Sequence, residues 1–318
     1  MSYLGEKVKN TICFGFYPHH LDIENERFSV KTLPDHKYAV EHVLSDSNVI
    51  NDWIYPGKAF EKNFINGVKK ELPYSTRVFG LPKTHVLTLH DGASHEELDF
   101  VVWCISFFTG MRLTTTEAGF VDATPIKPGK LVDFVLNRCT LEDAIELVLS
   151  YVKNARGQPR ALKRVAAIIH SLFLSQYPHS LAFERFQYLY MALDTCYKLL
   201  SVKEPIDSSK PNSHAQRIEW MCTKFNIPVP TWAKVDSPKK ASQISVVRND
   251  AMHEALFFDE PLGFAVYGGN VRTGTQSSTL LQMQALACRL IIAALGRPEI
   301  SYVSTPVDTR GIYPLRLI

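Results

Sequence analysis

Arg248-Asn249-Asp250-Ala251-Met252-His253 brings together residue types that can handle a phosphate diester. An arginine can grip phosphate with two parallel hydrogen bonds and offset charge that builds on the oxygens during reaction. A histidine titrates near neutral pH and can move a proton. RNA cleavage needs little more. A base removes the ribose 2′-hydroxyl proton, that oxygen attacks the adjacent phosphorus, and an acid protonates the departing 5′-oxygen. One histidine does not easily do both jobs, so a second copy of the motif from another subunit would complete the chemistry.

These residues need a helix to present them. Ser237-Pro238 has the pattern of a helix start, with serine as N-cap and proline in the first turn. Ile244, Val247, Ala251 and Ala255 then form an apolar stripe with helical spacing. At about 100° per residue, Asn249 and His253 lie roughly 200° from Val247 and Ala251, off that stripe. They are one turn apart and meet on one face, where the Asn249 amide would orient the imidazole and choose its tautomer. The competing reading is structural, with Arg248 and His253 in surface ion pairs with Asp250 or Glu254.

A chain of 318 residues suits two domains. The expected class is α+β: a β-rich N-terminal region over residues 1–135, then an all-α bundle over 136–318. Ile12–Tyr17, Phe28–Leu33, Tyr38–Leu44 and Arg77–Leu89 read as short strands bounded by turn residues. Ser94 with Glu97 and Thr140 with Asp143 read as capping boxes that open helices. Gly110 is expected to end the first, and a further helix follows Pro159. Ala182, Phe186, Leu189, Leu193, Cys196 and Leu200 make one continuous stripe, so a central helix is expected near 180–200. A helix from about His214 to Phe225 and a last, deeply buried one from about Ser277 to Leu295 complete the bundle.

Composition narrows the function classes. The hydrophobic share of 46% and charged share of 21% are those of a globular chain. A net charge of +3 gives no support to wholesale binding of nucleic acid. A local basic run, Lys153, Arg156, Arg160, Lys163 and Arg164, is the candidate RNA-binding patch, with a solvated helix face as the alternative. Six cysteines without a CxxC pair argue against a zinc ribbon and fit a reducing compartment. No signal-peptide pattern or long apolar run is present, so a cytoplasmic protein without a membrane span is expected. His19-His20-x-Asp22 and the evenly spaced His85, His90 and His95 place neighbours on opposite strand faces. No metal site and no cofactor are therefore expected. Gly268, Gly269 and Gly274 fit no phosphate-cradling motif.

The string RNDAMH resembles the R-x4-H motif of the HEPN superfamily (higher eukaryotes and prokaryotes nucleotide-binding), with a polar residue after the arginine. Its context is similar too: late in a helical bundle spanning roughly 140–297, after FERFQYLYMALDTCYKLL and before a final apolar helix. The resemblance implies a metal-independent endoribonuclease of a phage-defence or toxin type. Its composite active site would lie at a homodimer interface, with Arg248 and His253 as the catalytic pair and Asn249 in support. RNA, an antitoxin or a phage trigger would be the partners. The alternative it carries is a non-catalytic module that binds nucleic acid, nucleotide or protein.

Overall fold

The structure is a computed structural model. It describes residues 10–74, 77–117, 119–120, 122–158, 160–202, 210–211, 213–236, 240–253, 276–308 and 311–317, and for 251–253 and 276–278 the backbone only. The chain is α+β and divides into two compact units, Met1–Lys130 and Leu131–Ile318.

In the first unit, β1 (Thr11–Phe14), β2 (Ile23–Glu24), β3 (Phe28–Thr32) and, later in the chain, β8 (His85–Leu89) form an antiparallel sheet of order β1-β8-β3-β2. Burial along β8 follows the period of a strand, with His85, Leu87 and Leu89 on the inner face. Gly15 follows β1 at a point of close approach: a Cβ there would stand 2.4 Å from the Pro82 carbonyl oxygen, so no larger residue fits. Between β3 and β8 come α1 (His36–Leu44), β4 (Val49–Ile50), β5 (Trp53–Ile54), β6 (Phe60–Lys62) and β7 (Lys69–Glu71). α2 (His95–Thr109) follows, and then β9 (Thr124–Pro125), which pairs with β5. α2 opens on the expected box: Ser94 Oγ accepts from Glu97 N–H, and the Glu97 carboxylate accepts from Ser94 N–H at 2.8 Å. Gly110 ends the helix in the left-handed region at φ 62°, where glycine carries no Cβ penalty.

Two strand expectations in this unit are corrected. Residues 38–44 are helical. The buried positions His36, Ala39 and Val43 are three and four apart, while Tyr38 is exposed, so the apparent alternation was a helix seen from one side. In 77–89 only His85–Leu89 is a strand of the sheet, because Gly80 and Pro82 interrupt the earlier part.

His85 gives this unit an acid sensitivity. It is fully buried and stacked on Phe14, with His36 at 5.3 Å between ring centroids. Burial, then the charge of His36, lowers its pKa to about 4. The unfolded chain therefore takes up the proton near pH 6.5 and the folded one only near 4. The stabilisation from a neutral His85 is whole above pH 6.5 and is lost as pH falls through that window, by at most about 3 kcal/mol. The melting temperature of the first unit is expected to drop between pH 7 and pH 4.5, and His85→Phe to flatten that dependence. An equal drop in the variant would remove His85 as the cause.

The second unit begins with β10 (Phe134–Leu136). β10 pairs in parallel with β13 (Tyr313–Leu315). α3 (Leu141–Asn154), opened by the Thr140–Asp143 box, and α4 (Ala161–Leu174) precede α5 (Ala182–Ser201). α6 (His214–Lys224) and a short 3-10 turn, Thr231–Ala233, lead to the hairpin of β11 (Val235–Asp236) and β12 (Ala241–Ser242). α7 (Gln243–His253) and α8 (Gln276–Ala294) complete the helices. α4, α5 and α8 pack on one another, and α6 and α7 lie against α5. Phe186, Leu189, Leu193, Cys196 and Leu200 of the predicted stripe are all buried.

The helix expected to open at Ser237-Pro238 instead begins at Gln243. Ser237 and Pro238 lie outside the described residues, between the two strands of the hairpin. The start of α7 is held by Ser245, whose Oγ accepts from Ser242 N–H at 3.0 Å and donates to the Ser242 carbonyl at 2.7 Å.

The C-terminal tail returns across its own unit. Arg289 of α8 is fully buried and bridges Asp133 at 2.8 Å. It also donates to the carbonyls of Ala285, Thr305 and Pro306. Tyr302 donates to the other oxygen of Asp133, and Val303, Val307, Leu315 and Leu317 are buried. The guanidinium lies over the Tyr302 and Tyr313 rings at 4.9 and 5.3 Å. One cation thus ties together the start of the unit, α8 and the tail.

Candidate functional site

α7 carries the motif. Ile244 and Ser245 are buried and Val247 is half-buried, so the first turns of α7 face the bundle. Asn249 is exposed, with Arg248 and Asp250 partly so. Arg248 donates to Asn249 Oδ1 at 2.9 Å. The Asn249 side-chain oxygen thus accepts from the arginine, and the expected contact of its amide with the imidazole falls outside the described residues. The backbone of His253 lies in the last described turn of α7, and its side chain falls outside the described residues, as do Glu254, Ala255 and the Gly268–Gly274 segment.

A polar cluster of α5 and α6 lies within range of the Arg248 charge, which acts on Tyr190 of α5 and on His214, the first residue of α6. Tyr190 and His214 stack with ring centroids 6.5 Å apart, and the Tyr190 hydroxyl lies 3.3 Å from His214 Nδ1. Arg217, one turn along α6, donates to the same Nδ1 at 3.1 Å and pairs with Asp194 of α5. Lys198 reaches Asp194 at 3.1 Å, and the Arg217 guanidinium lies 4.7 Å above the Tyr197 ring.

The electrostatics follow from that arrangement. Burial pushes Asp194 up, but the hydrogen bonds and charges of Arg217 and Lys198 outweigh it and hold the carboxyl below its usual value. Burial, and then the Arg217 charge, lower the His214 pKa against the pull of Asp194. Burial raises Tyr190, helped by Asp194. Arg217, Lys198 and the His214 ring thus gather round the Asp194 carboxylate, with the Tyr190 phenol beside the imidazole.

The signal for this cluster was present but local. Tyr190, Asp194 and Lys198 are four apart, and His214 and Arg217 three apart, so each set shares a helix face. What a single sequence does not reveal is that α5, α6 and α7 bring those faces together. The spacing of the α5 aromatics predicts core positions. Phe186 and Tyr197 are buried, whereas Phe183, Tyr188 and Tyr190 are half-buried.

The proposed RNA-binding run occupies the α3–α4 turn. Lys153, Arg156, Arg160 and Lys163 are exposed and Arg164 is half-buried. His19 and His20 are exposed, and among the described residues no group of three or more His, Cys, Asp or Glu is arranged to hold a metal ion. The cysteines are unpaired, with Cys104, Cys196, Cys222 and Cys288 buried. No helix among the described residues is long and apolar enough to cross a membrane. No family model, no curated protein and no solved structure matches the chain.

Proposed function

We propose that this chain is a metal-independent endoribonuclease of a phage-defence or toxin type, acting in the cytoplasm as a homodimer. Arg248 and His253 are its catalytic pair and Asn249 supports them. The observation that carries the reading is the placement of Arg248 and Asn249 on α7, with Tyr190 and His214 close enough to feel the arginine's charge. That face combines a fork of donors for a phosphate with the helix turn that carries His253. The resemblance of RNDAMH to the HEPN motif supplies the reaction class. In this reading one His253 takes the 2′-hydroxyl proton, its copy in the partner subunit protonates the departing 5′-oxygen, and Arg248 offsets charge on the phosphate. Lys153, Arg156, Arg160, Lys163 and Arg164 add phosphate contacts, and the first unit receives the trigger or antitoxin.

Incubating the purified protein with total cellular RNA in EDTA tests this. Cleavage that leaves 2′,3′-cyclic phosphate ends is the expected result. RNA that is bound but never cut would replace the enzyme with a non-catalytic binding module built on the same helices.

A further inference from the structure

The β6–β7 hairpin of the first unit carries the most exposed large apolar side chains among the described residues. Phe64 and Ile65, in the turn between its strands, are 92% and 97% exposed. Phe60 and Val68 behind them are more than half exposed, and every residue from 61 to 70 faces solvent. The turn is nonetheless ordered by its own polar groups. Asn63 N–H donates to the Val68 carbonyl at 2.9 Å, and Gly67 N–H to the Asn63 carbonyl at 2.8 Å. Asn63 Oδ1 accepts from Ile65 N–H at 2.9 Å, and Asn66 Oδ1 accepts from Val68 N–H at 3.0 Å. The two apolar side chains are therefore held outward by a backbone whose amides at Asn63, Ile65, Gly67 and Val68 already have acceptors.

The charges behind this tip do not serve the hairpin itself. Lys62 and Lys69 stand opposite each other at the end of the ladder next to the turn. Like charges at facing positions weaken a strand pair, and neither lysine forms an ion pair among the described residues. The two carboxylates of the hairpin are already matched. Glu61 stands opposite Lys70, and Glu71 is taken by Lys58 at 3.2 Å and by Arg77. Lys62 and Lys69 thus remain as a positive pair, one step behind two exposed apolar side chains.

We propose that the β6–β7 hairpin anchors the chain to an anionic bilayer surface, with Phe64 and Ile65 entering the hydrocarbon boundary and Lys62 and Lys69 at the level of the lipid phosphates. The order along the hairpin, apolar outermost and basic next, matches the depth profile of such a surface. At about 3.3 Å per residue the lysines trail the tip by several ångströms, within the depth that an interfacial anchor reaches. The hydrogen bonds inside the turn reduce the cost of moving its backbone out of water. Other occupants fit these residues less well. A stable protein interface buries about 800 Å² on each partner, more than two side chains at a turn present. A second copy meeting tip to tip would set Lys62 and Lys69 against their own like. Isoleucine has no ring face on which a base could stack. The contact is peripheral and needs no membrane-crossing helix.

Flotation of the full chain with vesicles of equimolar phosphatidylserine and phosphatidylcholine measures the anchor, beside vesicles of phosphatidylcholine alone. The wild type is expected to float with the anionic vesicles and to be released as salt is raised. Phe64→Ser combined with Ile65→Ser is expected to weaken that binding about tenfold or more. Lys62→Gln combined with Lys69→Gln is expected to weaken it by a similar factor. All four side chains are exposed, so both double variants are expected to melt as cooperatively as the wild type, which separates lost binding from lost folding. A wild type that stays off anionic vesicles, that binds phosphatidylcholine alone as tightly, or that binds no better than the serine variant overturns the proposal. A wild-type dimer that the serine variant turns into a monomer, without vesicle binding by either, gives the tip to a second copy and overturns it equally.

Discussion

With His253 replaced by alanine, RNA cleavage is expected to fall by about 10²–10⁴-fold, the usual contribution of a positioned proton-transfer group. The melting temperature is expected to stay within about 2 °C of the wild type. The spacing of α7 is the reason for the contrast. Ile244 is buried in the bundle, and helical spacing sets position 253 roughly 200° from position 251 of the apolar stripe, so truncation at 253 is expected to spare the stripe. Arg248→Lys is the companion variant. It keeps the charge but loses the planar fork, so a cleavage rate that falls while the salt dependence of binding is retained would identify the guanidinium geometry as the feature in use. The measurement is single-turnover cleavage of a defined RNA in EDTA. Undiminished cleavage by His253→Ala would sink the assignment of this helix as the catalytic one.

Local signals in the sequence were legible because their physics is local. The Ser94–Glu97 and Thr140–Asp143 boxes satisfy backbone donors three residues away, and both form as read. The stripe of α5 follows from helical periodicity alone. Failures came where a neighbour in space decides the outcome. Residues 38–44 alternate on paper, yet His36, Ala39 and Val43 are the ones buried. Ser237-Pro238 has the composition of a helix start, yet Val235–Asp236 pairs with Ala241–Ser242 around it and the helix waits until Gln243. The candidate site divides the same way. RNDAMH is contiguous and could be found. Tyr190, Asp194, His214, Arg217 and Arg248 come from three helices, and no spacing within one sequence joins them.

Arg289 is the strongest case of a residue whose role is invisible in the chain, and its removal is expected to cost the second unit about 3–5 kcal/mol of stability. In the sequence it interrupts an apolar run. In the structure its guanidinium is fully buried, and its carboxylate partner, Asp133, lies 156 residues away. Arg289→Ala would leave that carboxylate with the Tyr302 hydroxyl and strip donors from the carbonyls of Thr305 and Pro306. The larger share of the loss comes from the charge and acceptors left behind, since an uncompensated buried group loses its full desolvation cost. At roughly 2–4 °C per kcal/mol for a unit of this size, the melting temperature should fall by about 6–20 °C. The tail should also become more open to proteolysis, because Tyr302 and the β10–β13 pairing depend on the same anchor. Arg289→Met combined with Asp133→Leu removes both charges and fills the space, and is expected to recover part of what Arg289→Met alone loses. A double variant no more stable than Arg289→Met would mean that packing against the Tyr302 and Tyr313 rings, rather than charge compensation, is what Arg289 contributes.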